Sequence, residues 1–321
     1  MFIIFKVTNV KKSDKRDLLT FIGFVAPGLL VYLFVIAYPI CYSVFLSLTN
    51  YNPNSKGAIE FKGLANYWKV ITMNPQIGSN IPEFWHAFKN NMIVVAVSVF
   101  AQIPIGFILA FILYRKQVKC AGFFQSMVFL PHFLSTIVIG IMWRMLFMVD
   151  GPVATLIQKF TGNPSAQFDL MMDPNKCMIP IGIALVWMYT GFYMIIFLAN
   201  LQKINESMFE AAKIDGASEV QIFFKITIPL LAGSILTSCI LAIAGSLKGF
   251  SLIFALAPEG KARINSEVLP IYMYRIAFNT AKDPMRYAYG ATISNIVVLI
   301  SILLIMFSNW VGKKLGTDEE Y

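Results

Sequence analysis

Few residues of this sequence could form a catalytic or metal centre. The chain of 321 residues has two histidines, His86 and His132, and four cysteines that stand far apart. Zinc sites and disulfide frameworks show characteristic Cys or His spacings, and none occurs here. The apolar segments also lack a Ser/His/Asp, Cys/His or paired-carboxylate set. The sequence therefore predicts neither a metal site nor an enzyme.

One polar segment, 203-KINESMFEAAKIDGASEVQIFFKITIPLL, is strongly patterned. Capping boxes of the form S-x-x-[E/Q] begin at Ser207 and at Ser218, and they predict two short helices. Asp215-Gly216 between them predicts a turn in which the glycine takes a positive φ. The small side chains of an Ala-Ala pair in the first helix would let another surface approach closely.

The elements around this segment are apolar. Hydrophobic residues make up 57% of the chain and charged residues 13%, whereas soluble domains carry about 25% charged residues. The net charge of +9 could indicate nucleic-acid binding, but the basic residues lie at the ends of apolar runs, as in membrane proteins. The composition thus predicts a membrane protein and excludes an ordinary soluble enzyme or a disordered chain.

Six windows of at least 20 residues lack Asp, Glu, Lys and Arg, and a bilayer core needs about 20 apolar helical residues. Because each window is apolar all round and long, helices are favoured over barrel strands. We predict an all-α polytopic membrane protein with transmembrane helices at 18–48, 90–114, 121–147, 178–201, 229–250 and 287–312. The first is predicted to be a retained helix, kinked by prolines, and not a cleaved signal peptide.

The distribution of Lys and Arg predicts the orientation. With both termini inside, the inner segments carry about twice the density of basic residues of the outer loops. The predicted organisation is a cytoplasmic tail at 1–17, a transmembrane domain at 18–312 with a cytoplasmic loop at 203–229, and a cytoplasmic tail at 313–321.

The patterned loop resembles the EAA motif of permease subunits of binding-protein-dependent ABC importers. That motif runs Glu-Ala-Ala, three residues, Gly, nine residues and Ile-x-Leu-Pro. This chain has Glu210-Ala211-Ala212, Gly216 and 226-ITIP, so only Ile228 departs from the pattern. The stretches 36-IAYPICYSVFLSLTNYN, 129-FLPHFLSTIVIGIMWRMLF and 187-WMYTGFYMIIFLANLQKI resemble the carbohydrate branch, of the maltose-permease large-subunit type. The likeness covers about residues 20–312.

The resemblance implies a type I importer permease fold and a subunit that is not an enzyme. It also implies an inner (cytoplasmic) membrane location in a prokaryote, with a second, homologous permease subunit, two ATPase subunits and an extracytoplasmic solute-binding protein as partners. The pattern G-x-x-x-x-G-K-[ST] of a phosphate loop does not occur in the sequence. ATP and Mg are therefore expected on the partner ATPase, with no cofactor in this chain.

Two groups of site residues follow from the resemblance. For coupling to the ATPase they are Glu210, Ala211, Ala212, Asp215, Gly216 and Pro229. For the substrate path they are Tyr189, Gly191, Phe192, Tyr193, Ser246, Lys248 and Phe250. The aromatic rings could stack on sugar faces while hydroxyl groups form hydrogen bonds; ordinary aromatic packing is the alternative.

Two interpretations stay open for Lys248. Lys248 could attract an anionic group of the substrate. Alternatively, a straight helix of 19 residues from Pro229 would carry it about 28 Å to the outer surface, where it would snorkel. His132 is expected to be a packing residue and Gln102 to hydrogen-bond a neighbouring helix.

The predicted function is translocation of a sugar or oligosaccharide in an ABC importer. The main alternative within this class is a glycerophosphodiester or another anionic polyol. A stand-alone secondary transporter is disfavoured, because the six windows contain no carboxylate for ion coupling.

Overall fold

The computed structural model describes residues 14–52, 57–72, 82–115, 119–148, 151–162, 170–257, 260–279 and 286–314. Most of the two predicted tails, 1–17 and 313–321, lies outside these residues. The described chain is helical apart from connecting segments and one isolated β-bridge between Thr49 and Phe61. The all-α prediction is confirmed.

The helices follow one another along the whole described chain. They are α1 (Asp14–Tyr32), α2 (Tyr38–Ser47), α3 (Ala65–Thr72), α4 (Glu83–Val97), α5 (Ile103–Tyr114), α6 (Ala121–Phe133), α7 (Thr136–Phe147), α8 (Pro152–Thr161), α9 (Met178–Leu201), α10 (Glu206–Ile214), α11 (Glu219–Ile222), α12 (Ile228–Leu230), α13 (Ala232–Lys248), α14 (Ser251–Leu256), α15 (Lys261–Asn265), α16 (Leu269–Tyr274) and α17 (Arg286–Lys314). π-helical turns occupy Leu33–Ala37, Ser98–Gln102, Phe223–Thr227 and Arg275–Asn279.

Five helical runs among the described residues are long and apolar enough to cross a membrane: Thr20–Ser47, Glu83–Tyr114, Thr136–Thr161, Met178–Leu201 and Tyr287–Lys314. A sixth is the pair Glu219–Leu230 and Ala232–Lys248, which meet at an angle of 72°. Apolar side chains cover the outside of these runs; Phe24 in α1 is 83% exposed. An apolar surface of this kind suits lipid and not water.

The prediction of one unbroken span over 121–147 is wrong. α6 ends at Phe133, and α7 begins at Thr136 after two extended residues, Leu134 and Ser135. Pro131, in the last turn of α6, has no amide hydrogen to donate to that helix. Ser135 has a non-helical conformation and is the N-cap residue of α7. α6 packs on α9, while α7 packs on α14.

The predicted straight span over 229–250 is also corrected. The chain bends by 72° at Leu231, and α13 ends at Lys248. Pro229 itself does not interrupt the run, because the π-helical turn Phe223–Thr227 precedes it and the Ile228 amide donates to the Phe223 carbonyl. The wider π-helical turn makes room for the pyrrolidine ring of Pro229, which would clash with the preceding turn of a regular α-helix. Pro39 and Pro104 follow π-helical turns in the same way.

α9 is the centre of the molecule. Thirteen of its 24 residues are buried. Gly106 of α5 lies so close that a Cβ there would stand 2.9 Å from the Cβ of Tyr193, and Gly140 joins α7 equally closely to α14. Small residues at helix crossings allow this approach in membranes, where van der Waals packing replaces the hydrophobic effect between helices.

Ion pairs and hydrogen bonds show which helix ends lie at the same end of the molecule. We call the segment 203–229, which carries the EAA motif, the EAA loop. Arg115, which follows α5, pairs with Glu219 of this loop. The opposite end of the helical run Glu83–Tyr114 therefore points away from the loop. There Arg275 pairs with Glu83 and with Glu267. Thr292 near the start of α17 donates to the Ser47 carbonyl at the end of α2, and Tyr289 packs with Phe84. The start of α1 and the end of α17 therefore lie at the end of the molecule that carries the EAA loop.

Candidate functional site

A cavity of about 500 Å³ lies between α4, α9, α13 and α14, with the corner between α6 and α7 closing one side. Its wall includes six of the seven residues predicted for a substrate path: Tyr189, Phe192, Tyr193, Ser246, Lys248 and Phe250. These residues stand up to 61 positions apart in sequence, and folding brings them to one space. A concave site with an apolar wall and a few polar groups is the usual form of a small-molecule site.

Gly191, the seventh predicted residue, does not line this cavity. A Cβ at Gly191 would stand 2.3 Å from the carbonyl oxygen of Val128 in α6. α9 is continuous through this position, so the glycine does not interrupt the helix. It permits close packing of α6 on α9.

Polar side chains converge on the cavity from several helices. Ser246 of α13 donates to the Ser98 hydroxyl at 2.9 Å, and Asn91 donates to the Ser246 carbonyl at 3.2 Å. Gln102, which is 2% exposed, also lines the cavity, and its Nε2 has no hydrogen-bond partner among the described residues. The expected bond of Gln102 to a neighbouring helix is absent for this atom. A buried donor without a partner is costly, so a bound molecule or water would satisfy it.

Aromatic rings form the other part of the cavity wall. The His132 ring stacks on Phe192, with centroids 5.1 Å apart, and meets Tyr189 edge-on. The packing role expected for His132 is therefore observed, but its Nδ1 is buried without a described partner. Phe250 stacks on Phe254 at 4.8 Å. Flat rings beside hydrogen-bond donors suit a ligand with apolar faces and polar edges.

The EAA loop folds as predicted into two short helices, α10 and α11. Asn205 caps α10 by accepting from the Ser207 amide, so the capping box expected at Ser207 is wrong. The helix begins at Glu206, two residues before the position that a cap at Ser207 would give it. The second box is confirmed, with reciprocal bonds between Ser218 and Gln221.

Between the two helices Gly216 has a φ of +79°, as predicted. The Ala217 amide donates to the Ala212 carbonyl and the Gly216 amide to the Lys213 carbonyl. This pattern is a Schellman motif, which requires a residue with positive φ at the position of Gly216. Asp215, just before it, is exposed.

The two alanines of the motif face opposite directions. Ala212 is buried, together with Phe209, against the apolar cluster formed by α5 and α9. Ala211 and Glu210 are exposed. Ala211 is thus available to a partner, whereas Ala212 holds α10 against the membrane domain. Pro229, the last residue of the motif, is exposed at the start of α12.

An ion pair that the sequence did not predict holds this loop against the membrane domain. Arg115 donates from Nε and from an Nη to the two carboxylate oxygens of Glu219, at 3.0 and 2.8 Å. The guanidinium also lies 5.3 Å from the centre of the Phe209 ring. Hydrogen bonding from Arg115 lowers the pKa of the Glu219 carboxyl below its usual value, so the group is ionised at neutral pH. The two residues are 104 positions apart, and a single sequence carries no signal of such a pair.

Replacing Glu219 with glutamine should loosen α10 and α11. The change keeps the size of the side chain but removes a charge-assisted bidentate pair; with Glu219 38% exposed, solvent screening reduces the loss to about 1 kcal/mol. Amide hydrogen exchange over 206–222 should accelerate by about fivefold. Glu210→Gln, on an exposed residue of the same loop, is the matched control. Equal exchange rates in the two variants would contradict this role of the ion pair.

Comparison with known proteins places the chain among transport components. A family model described as the binding-protein-dependent transport system inner membrane component matches residues 102–317. The chain is 32% identical to the lactose transport system permease protein LacF of Rhizobium radiobacter, over 88% of this chain and 90% of the relative. It is 29% identical to the arabinooligosaccharides transport system permease protein AraP of Bacillus subtilis, over 88% of this chain and 84% of the relative.

Solved structures share the fold. A chain of a bacterial ABC transporter involved in the import of the acidic polysaccharide alginate superposes with a TM-score of 0.75 at 20% identity, covering 94% of this chain and 98% of that one. A second structure, of the alginate ABC transporter in complex with an alginate pentasaccharide-bound periplasmic protein, gives a TM-score of 0.76 at 20% identity, covering 95% of this chain and 97% of that one. At this identity the likeness concerns the fold alone, and it confirms the permease architecture predicted from the sequence.

Proposed function

The chain belongs to the family of binding-protein-dependent transport system inner membrane components, and we propose that it forms half of the translocation path of an ABC importer for a sugar or oligosaccharide. It is a transport subunit and not an enzyme. The observation that carries the proposal is the cavity, in which aromatic faces and two buried nitrogens without described partners, Gln102 Nε2 and His132 Nδ1, surround a space large enough for a sugar unit. The names of relatives that transport lactose and arabinooligosaccharides support this substrate class.

The proposed partners follow from the exposed face of the EAA loop. Ile214, one turn after Glu210 and Ala211 in α10, is strongly exposed, and so is Val220 in α11. An exposed apolar patch, in which the small side chain of Ala211 allows close approach, suits docking in a groove of an ATPase subunit. Two ATPase subunits would bind ATP and Mg. A second, homologous permease subunit would complete the path, and an extracytoplasmic binding protein would deliver the sugar.

One helical run connects the docking surface to the cavity. It begins with α11 of the EAA loop, bends at Leu231 and ends with α13, whose Ser246 and Lys248 line the cavity. Because packed helices move as rigid bodies, a displacement of α10 and α11 would tilt α13 and reshape the cavity. This is the route by which ATP-driven closure of the ATPases would alternate access to the sugar.

The proposed orientation puts the EAA loop in the cytoplasm. The start of α1 and the end of α17 lie at the same end of the molecule as this loop, so both termini would also be cytoplasmic. The higher density of Lys and Arg in these segments supports this orientation, since basic residues are enriched in cytoplasmic segments.

Deletion of this chain in its host, followed by uptake assays with labelled di- to pentasaccharides, tests the function. The deletion strain should lose at least nine-tenths of the uptake of one class of oligosaccharide, and the wild-type chain should restore it. Unchanged uptake of every sugar, with loss of uptake of another solute class instead, would overturn the proposal.

A further inference from the structure

Lys248 is the last residue of α13 and lines the cavity. No described Asp or Glu lines the cavity with it, so Lys248 is the one formally charged residue in that described wall. No described carboxylate lies within ion-pairing distance of it either, in contrast to Arg115 and Arg275, which each hold a carboxylate.

The bonds of Ser246 place Lys248 among the helices. The Ser246 hydroxyl bonds to Ser98, about 22 Å of helix from Glu83, and the Ser246 carbonyl accepts from Asn91. Lys248 follows Ser246 by two residues and is exposed. The straight helix from Pro229 on which the snorkelling interpretation rested does not exist, because the chain bends at Leu231. A lysine within a membrane domain is costly unless it meets water or an opposite charge.

Lys248 shares the cavity wall with other polar groups that could bind a ligand. Gln102 Nε2 can only donate, and it has no described partner; the His132 ring brings a further unpaired nitrogen. The Ser246 hydroxyl already donates to Ser98. The rings of Phe250 and Phe192 supply flat apolar surface beside these groups. The cavity thus offers a cation, an unpaired amide donor and aromatic faces, but no described carboxylate.

We infer that the transported sugar carries an anionic group, a carboxylate or a phosphate, that pairs with Lys248 as it passes through the cavity. This inference rests on the proposed function and narrows its substrate class to acidic carbohydrates. A carboxylate or phosphate accepts from an ammonium group in a charge-assisted bond, and it also accepts from a neutral amide such as that of Gln102. The sugar ring would lie against the aromatic side chains.

The test uses the complete transporter with its binding protein in proteoliposomes. Three labelled probes of similar size are compared: a neutral trisaccharide, the same trisaccharide with one terminal uronate, and its 6-phosphate. Each is assayed with the wild-type chain and with Lys248→Met, which keeps length and removes charge. Lys248→Arg tests rescue by charge. Lys159→Met, on an exposed lysine of α8 outside the cavity, is the matched control.

In the wild type we expect uptake of at least one acidic probe, and the two acidic arms separate carboxylate from phosphate. Lys248→Met should lower the ratio of acidic to neutral uptake at least tenfold, Lys248→Arg should keep it within threefold, and Lys159→Met should leave it unchanged.

Two outcomes would overturn the inference. A wild type that imports only the neutral sugar would refute it while leaving the sugar importer intact. An unchanged ratio of acidic to neutral uptake in Lys248→Met would also refute it, because a lysine that does not contact the substrate cannot distinguish the probes. Import of none of the probes, together with loss of another solute in the deletion strain, would refute the proposed function as well.

Discussion

Ala211→Trp should reduce ATP-driven uptake at least tenfold and leave the membrane domain folded. Ala211 lies on the exposed side of α10, so an indole at this position meets no part of the described chain but projects from the surface proposed to dock on the ATPase. Docking surfaces are packed as tightly as protein interiors, and a group of this size cannot be accommodated without separating them. Stimulation of ATP hydrolysis by the loaded binding protein should fall with uptake.

Two neighbouring variants make the result specific. Ala211→Ser adds one atom and should retain at least half of wild-type uptake. Ala212→Trp should instead lower the melting temperature, because Ala212 is buried against the cluster of α5 and α9. Wild-type coupling in Ala211→Trp would rule out the docking role of this face.

Gly191→Ala should destabilise the membrane domain strongly. A Cβ there would stand 2.3 Å from the Val128 carbonyl oxygen and 2.8 Å from the Phe129 Cα, both backbone atoms that cannot rotate away. Overpacking a well-packed interior costs about 1–3 kcal/mol, and here α6 must separate from α9. We expect a clearly lower melting temperature in detergent and reduced yield.

Gly122→Ala is the control for Gly191→Ala. Gly122 lies in α6, where an added Cβ meets nothing within 4 Å, so the change should be neutral or slightly stabilising through helix propensity. Equal melting temperatures for Gly191→Ala and the wild type would mean that α6 does not pack on α9 as closely as described.

The helical fold was predictable because windows without charged residues indicate which segments lie in lipid. The breaks after Phe133 and at Leu231 were not predictable, since such windows do not show where a helix ends. Prolines do not mark the breaks consistently: Pro104 follows a π-helical turn inside a continuous run, whereas Pro131 lies two residues before the end of α6. Whether a proline is absorbed or ends a helix depends on the preceding turn and on the neighbouring helices.

The motif predicted the EAA loop well, because its spacing reflects local turns and caps. It could not separate Ala211 from Ala212, since which side of α10 is buried depends on α5 and α9. It could not find the pair of Arg115 with Glu219, which joins two distant loops. Six of the seven residues predicted for a substrate path line one cavity, and their contact with substrate stays a prediction. Gly191 lies at a helix crossing instead, because a glycine beside aromatic residues suits both a path and a crossing.

The most direct test of the account is ATP-dependent sugar uptake by purified components in proteoliposomes. Liposomes containing this chain, a second permease subunit and two ATPase subunits should accumulate labelled oligosaccharide only when the loaded binding protein is outside and ATP is inside. Omission of any one component should reduce uptake to background. Uptake by this chain alone, driven by an ion gradient without ATP, would contradict the account.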